Sequence, residues 1–152
     1  MKADEMTEKE VIAVMDQLAE NFAKRDMEGI LSLFASDSDV VLYAPEVDGR
    51  FVGLDGIKLM LERYWSQTEA LSFEYQLTSI SSAGVVTWVV SDTIFNAIVN
   101  GHKLVLPCRM TTVLEKRRNK WFIVHEHFSY PNEEHFIFVQ SKTFGRQLQT
   151  SC

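Results

Sequence analysis

The order of hydrophobic patterns predicts an α+β domain in which a curved antiparallel sheet wraps three N-terminal helices. Three observations carry this. Helical periodicity is confined to the N-terminal part and ends near Tyr64. Residues 71–81, 85–99, 103–116 and 121–130 are rich in Val, Ile, Thr and aromatics. Short turn signals divide these runs: Ser82-Ala83-Gly84, Asn100-Gly101 and Arg118-Asn119. Asn-Gly is the strongest of them, a hairpin dipeptide. Strands of such length twist and curl, and amphipathic helices need a face to cover, so a cavity between helices and sheet is expected.

In chain order, Thr7-Glu8-Lys9-Glu10 reads as a capping box. Val11, Met15, Leu18 and Phe22 follow as one apolar helical stripe ending near Lys24. Asp26 is placed to cap a short second helix that buries Ile30, Leu33 and Phe34. Val40–Tyr43 reads as a strand stopped by Ala44-Pro45. Asp48-Gly49 is a turn, Arg50–Val52 a short strand, and Gly53 leads to a third helix capped near Asp55, with Ile57, Leu61 and Tyr64 on one face.

The chain of 152 residues is expected to be one domain, with a core at 7–131 and a C-terminal extension at 132–152. Its net charge of −6 argues against nucleic acid, whose binding rests on phosphate neutralisation. The charge is uneven: residues 1–100 carry 7 Lys/Arg against 17 Asp/Glu, and residues 101–152 carry 8 against 4. Much of the basic excess is Lys116, Arg117, Arg118 and Lys120, read as a solvated hairpin tip. The charged start, MKADEMTEKE, lacks the apolar stretch of a secretory signal, and no apolar run approaches the ~18 residues of a membrane span. Cys108 and Cys152 make no disulfide framework, so a cytoplasmic protein without membrane partners is expected.

Several local patterns, in this order, resemble the NTF2-like superfamily with its SnoaL-like and ketosteroid-isomerase-like domains. They are Arg25–Ile30 through Leu33-Phe34-Ala35, then Asp39–Leu42, then Gly53-Leu54-Asp55-Gly56-Ile57. The ending, Arg109-x-Thr-x-Val113 followed by Trp121-x-Ile-x-His125-x-His127-x-Ser129, is most similar to the SnoaL-like branch near the association domain of calmodulin-dependent kinase II. The resemblance covers about residues 7–131. It implies a cone-shaped barrel with a pocket at its open end and a homodimer or larger oligomer packed through the sheet. It implies a small-molecule ligand too, with activities that range from isomerase, cyclase, dehydratase and hydrolase to binding alone. The ketosteroid isomerases' general-base aspartate falls at Ala44 and their oxyanion-stabilising tyrosine at Leu18. Neither residue here can exchange a proton, so that mechanism is not expected.

The candidate chemistry centres on the last strand. Residues two apart on a strand share a face, which puts His125, His127 and Ser129 beside Trp121 and Ile123, on the cavity side. A histidine titrates near neutrality and serves as acid or base. Asp92, a carboxylate in an apolar strand, would complete a His–Asp unit; the alternative is a structural polar network. A metal would need a third ligand from Asp92, His102 or Cys108, at spacings that do not demand one, so no metal or cofactor is expected. Arg109 would hold an acidic ligand or pair with Glu126. With a two-residue turn at Arg118-Asn119, Arg109 falls opposite Phe128 and away from the histidines; one residue of slip reverses this. Tyr43, Tyr64, Trp65 and Trp88 are candidate aromatic walls, Tyr43 for its place near the mouth and Trp88 with core as its alternative. The apolar run His135–Val139 is expected to be buried at a homodimer interface.

Overall fold

The computed structural model describes residues 1–131. Helix α1 (Glu5–Lys24) begins at Asp4, whose carboxylate accepts the Thr7 amide proton at 2.7 Å. The cap therefore lies three residues before the expected one, because Asp4, in extended backbone, accepts from the Thr7 amide and starts the helix nearly a turn earlier. Val11, Met15, Leu18 and Phe22 form its buried stripe. The helix ends at Arg25, which adopts the left-handed conformation (φ 57°). From there its guanidinium reaches across to the end of α3 and donates to the Trp65 and Thr68 carbonyls at 2.9 and 2.8 Å.

Asp26 caps α2 (Met27–Leu31) by accepting from the Gly29 amide at 2.9 Å. Strands β1 (Val41–Tyr43) and β2 (Arg50–Val52) follow. Helix α3 (Gly53–Ser66) starts two residues before Asp55 with no side-chain cap. It can do so because Gly53 takes a φ of +69°, which turns the chain from strand into helix while its amide donates to the Val40 carbonyl. Four long strands complete the order: β3 (Ala70–Ala83), β4 (Val86–Val99), β5 (His102–Arg117) and β6 (Lys120–Ser129). Asn100-Gly101 and Arg118-Asn119 are the two-residue turns expected, all four residues at positive φ.

The sheet runs β2-β1-β6-β5-β4-β3 and is open rather than closed. It is antiparallel in all pairings but one: β1 lies parallel to β6, so the sheet is mixed. The first strand is laid down before the meander and the last strand of the meander docks beside it in the same direction. Helices cover the inner face, packing on Leu42, Phe73, Val89, Phe95, Met110, Leu114, Ile123 and Phe128. Four rings, Phe22, Phe73, Phe95 and Phe128, touch in sequence across this face with centroids 5.3–5.4 Å apart at each step. The basic hairpin tip is drawn back into ion pairs: Arg117 grips Asp37 through both terminal nitrogens and also meets Glu115, and Lys116 reaches Glu10 at 3.0 Å.

One irregularity decides which residues face inward. Between β5 and β6 the register runs Leu114↔Ile123 and then Val113↔His125, so Val124 is an extra residue, a β-bulge. Before it, Trp121 and Ile123 point into the core; after it, Glu126 and Phe128 do. His125, His127 and Ser129 therefore stand on the outer face, the reverse of the alternation expected. Arg109 keeps the outer side expected of it, but the same shift sets Ser129 opposite it in place of Phe128, so it now shares a face with the histidines.

The bulge makes neighbouring positions unequal. Ile123→Ala is expected to cost about 2–5 kcal/mol through a core cavity, and His127→Ala to stay within about 0.5 kcal/mol. Urea denaturation of the two variants reads the difference; equal losses would place both side chains on one face.

Candidate functional site

With the inner face fixed by the bulge, the residue placed at its centre is Glu126. Its register partners are Leu42 on β1 and Thr112 on β5, both buried. The residue is buried, 6% exposed, and among the described residues its Oε2 has no hydrogen-bond partner; neither does the Thr112 hydroxyl directly opposite. Native structures leave few buried polar atoms unpaired, and those they leave call for a reason. Around Glu126 lies a narrow cavity of about 30 Å³ walled by Leu18, Phe34, Leu42, Met60, Phe95 and Phe128, among others. Room for about one or two waters adjoins the carboxyl.

Tyr64, Phe95 and Phe128 are shared with a wider chamber of about 300 Å³. Leu71, Ala97, Leu104, Leu106 and Cys108 line its apolar part, and Glu46, Gln67, Thr68 and Tyr130 its mouth. The Tyr64 hydroxyl donates to the Glu46 carboxylate, 2.7 and 2.8 Å from its two oxygens. Desolvation and this carboxylate both push the Tyr64 phenol upward, so it stays protonated. Burial pushes the Cys108 thiol up to about 11, which keeps it a neutral wall.

Burial likewise pushes Glu126 up to about 8, from 4.5 in an unperturbed chain. It is therefore largely a neutral carboxylic acid at pH 7, able to donate one hydrogen bond and accept others. A carboxyl that holds its proton near neutrality inside an apolar chamber is equipped for acid–base work.

The expected site residues divide between the two faces. Tyr64 lines the cavity, at the junction of its narrow and wide parts. Asp92, Arg109, His127 and Ser129 are brought together, but along a shallow groove on the outer face. Tyr43 packs on that face as well, its ring 6.4 Å from His125 and 5.7 Å from His127. His125 donates from Nδ1 to the Val41 carbonyl at 2.7 Å, which fixes its tautomer. Trp88 lies opposite Val113, half-buried on the outer side of β4. Trp65 packs tilted against Phe22, with centroids 6.5 Å apart, and lies outside the cavity lining. Arg109 and Glu126, a possible ion pair in the sequence, sit on opposite faces. Glu126, Glu46 and Tyr130 are the additions that sequence reasoning did not single out for the pocket. Among the described residues no three His, Cys, Asp or Glu side chains converge as metal ligands.

An α+β cone with an apolar chamber and one buried acid at its base defines a class of small pocket-bearing domains. This chain belongs to the SnoaL-like domain family, whose match spans residues 11–133. An NTF2-like superfamily protein from Salmonella enterica serovar Typhimurium superposes with a TM-score of 0.79 at 20% identity, covering 88% of this chain and 97% of that one. A proposed dehydratase of the NTF2-like family from Streptomyces avermitilis gives 0.74 at 15% identity, over 85% and 99%. A proposed calcium/calmodulin-dependent protein kinase II association domain from Xanthomonas campestris gives 0.69 at 22%, over 82% and 88%. At these identities the likeness establishes the NTF2-like fold. No curated protein matches the sequence.

The buried acid ties stability to pH. The folded chain holds the Glu126 proton up to about pH 8, whereas an unfolded chain releases it near 4.5. The native state thus binds more protons between these values, and its stability falls as pH rises through that window, at up to about 1.4 kcal/mol per pH unit. Chemical denaturation from pH 5 to 9 should show this decline in the wild type and lose it in Glu126→Gln; an identical slope in the variant would refute the assignment.

Proposed function

We propose that the protein binds a small, largely apolar molecule in the cone cavity and exchanges a proton with it through Glu126. The observation that carries this reading is the buried, unpartnered Glu126 carboxyl at the narrow end of an apolar chamber. A ligand carbonyl or hydroxyl seated there would accept from the neutral acid or donate to its free oxygen, and Thr112 would supply a second polar contact. Proton transfer at one carbon–oxygen group is the common element of isomerase-, dehydratase-, cyclase- and hydrolase-like steps. The Streptomyces avermitilis neighbour, itself a proposed dehydratase, fits that chemistry. The leucine at position 18 walls the deep cavity with an apolar group, in keeping with a mechanism that draws on Glu126 alone.

The outer face supports a second, compatible role. None of the described helices covers it, and it mixes apolar groups such as Ile94 and Tyr43 with Asp92, Arg109, His125, His127 and Ser129. We assign it to self-association into a homodimer, with the histidines as part of the contact rather than of the pocket. The free, buried Cys108 suits a reducing cytoplasmic setting.

Thermal-shift screening of small neutral compounds should yield ligands that raise the melting temperature by several degrees. Any that are turned over should lose about 10²–10⁴ in kcat with Glu126→Gln while still binding. The double variant His125→Ala, His127→Ala should keep ligand binding and weaken self-association in sedimentation analysis. Full turnover by Glu126→Gln, or lost binding in a folded double histidine variant, would move the chemistry to the other face.

A further inference from the structure

We infer that the cavity mouth selects ligands presenting a hydrogen-bond donor, a hydroxyl or an ammonium group, to Glu46, and turns carboxylates away. The inference rests on the pocket reading above and adds the charge and polarity of what enters.

The argument begins with the charges in the lining. Deep cavity and outer chamber together carry two carboxyl side chains, Glu126 and Glu46, and among the described residues no lysine, arginine or histidine. Two cations beside the rim residues Tyr64 and Thr68 are already committed. Arg25 gives its terminal nitrogens to the Trp65 carbonyl and to the Thr68 carbonyl and hydroxyl oxygens. Arg63 pairs with Asp48 at 3.1 Å and lies over the Phe51 ring. Neither is offered to the chamber as a counter-ion.

Two of the three hydroxyl protons at the rim are committed as well, and the third, on Tyr130, is exposed to solvent. Tyr64 donates to Glu46, and Thr68 donates to the Tyr64 carbonyl at 2.8 Å. What Glu46 still offers is acceptor capacity: two oxygens with several lone-pair directions, of which Tyr64 occupies only part. An anionic ligand would give up its hydration between Phe95, Phe128, Leu104 and Leu106 and then meet the charge of Glu46. A hydroxyl would complete the carboxylate's hydrogen bonding. An ammonium group would add charge attraction and the ring faces of Tyr64 and Tyr130. The preferred ligand is therefore an apolar ring system with its donor at the mouth.

Three probes that share one ring system isolate the end group: 2-naphthol, 2-naphthylmethylamine and 2-naphthoate. Their dissociation constants for the full-length protein at pH 7, measured by titration calorimetry, should be at least about tenfold lower for the alcohol and the amine than for the carboxylate. Glu46→Gln keeps an acceptor for Tyr64 and removes the charge, so it should narrow the gap between amine and carboxylate by about tenfold. Leu106→Trp, which fills the chamber, should abolish binding of all three, with circular dichroism confirming the fold. Equal or tighter binding of naphthoate, or an unchanged ranking in Glu46→Gln, overturns the selectivity while leaving the pocket standing. Failure of all three probes, or binding that survives Leu106→Trp, removes the pocket reading and this inference with it.

Discussion

Between Ile123 and His125 the last strand supplies one residue more than its partner, and the arrangement of the whole interior follows from that insertion. A strand has a side-chain period of two, so one added residue exchanges its faces for the rest of its length. Trp121 and Ile123 anchor one half of β6 in the core, and Phe128 anchors the other half on the opposite parity. Glu126 is carried inward with Phe128 and the histidines are carried outward. Without Val124 the core would have to accept two imidazoles, and the chamber would lose its acid.

Burying Glu126 is costly, and the cost explains why it remains neutral. The described residues around it supply no cation, and the hydroxyl opposite, Thr112, makes no bond to it; the rest are Leu42 and a cluster of phenylalanines. A core selected for stability alone would place a leucine there. The fold instead sets an unsatisfied acid in the narrower cavity, which the Phe22–Phe73–Phe95–Phe128 row lines with apolar rings.

The helices, the long strands and their turns were legible in the sequence because each rests on local rules. Asn100-Gly101 adopts a turn that few other dipeptides favour, and the stripe from Val11 to Phe22 has only one way to be buried. The first cap lies three residues before Thr7 because Asp4 and Thr7 are both good cap residues and pattern alone does not choose between starts nearly a turn apart. The site was illegible for a different reason: a bulge has no strong local code. Its trace was nonetheless present, since the apolar positions of β6 are odd-numbered at Trp121 and Ile123 and even-numbered at Phe128. That change of phase requires one extra residue between them. Glu46 lay beyond such reasoning, because its place at the mouth depends on α3 and the loop after β1 meeting in space.

The bridge from Arg25 to the end of α3 has a kinetic consequence. It joins the last turn of α1 to Trp65 and Thr68 through three hydrogen bonds, and Thr68 is part of the rim. The opening therefore cannot widen by letting the two helices part unless that bridge breaks. For a ligand of the kind proposed, exchange would be left to side-chain rotation at the rim. Its residence time would then follow its girth there rather than how much surface it buries inside.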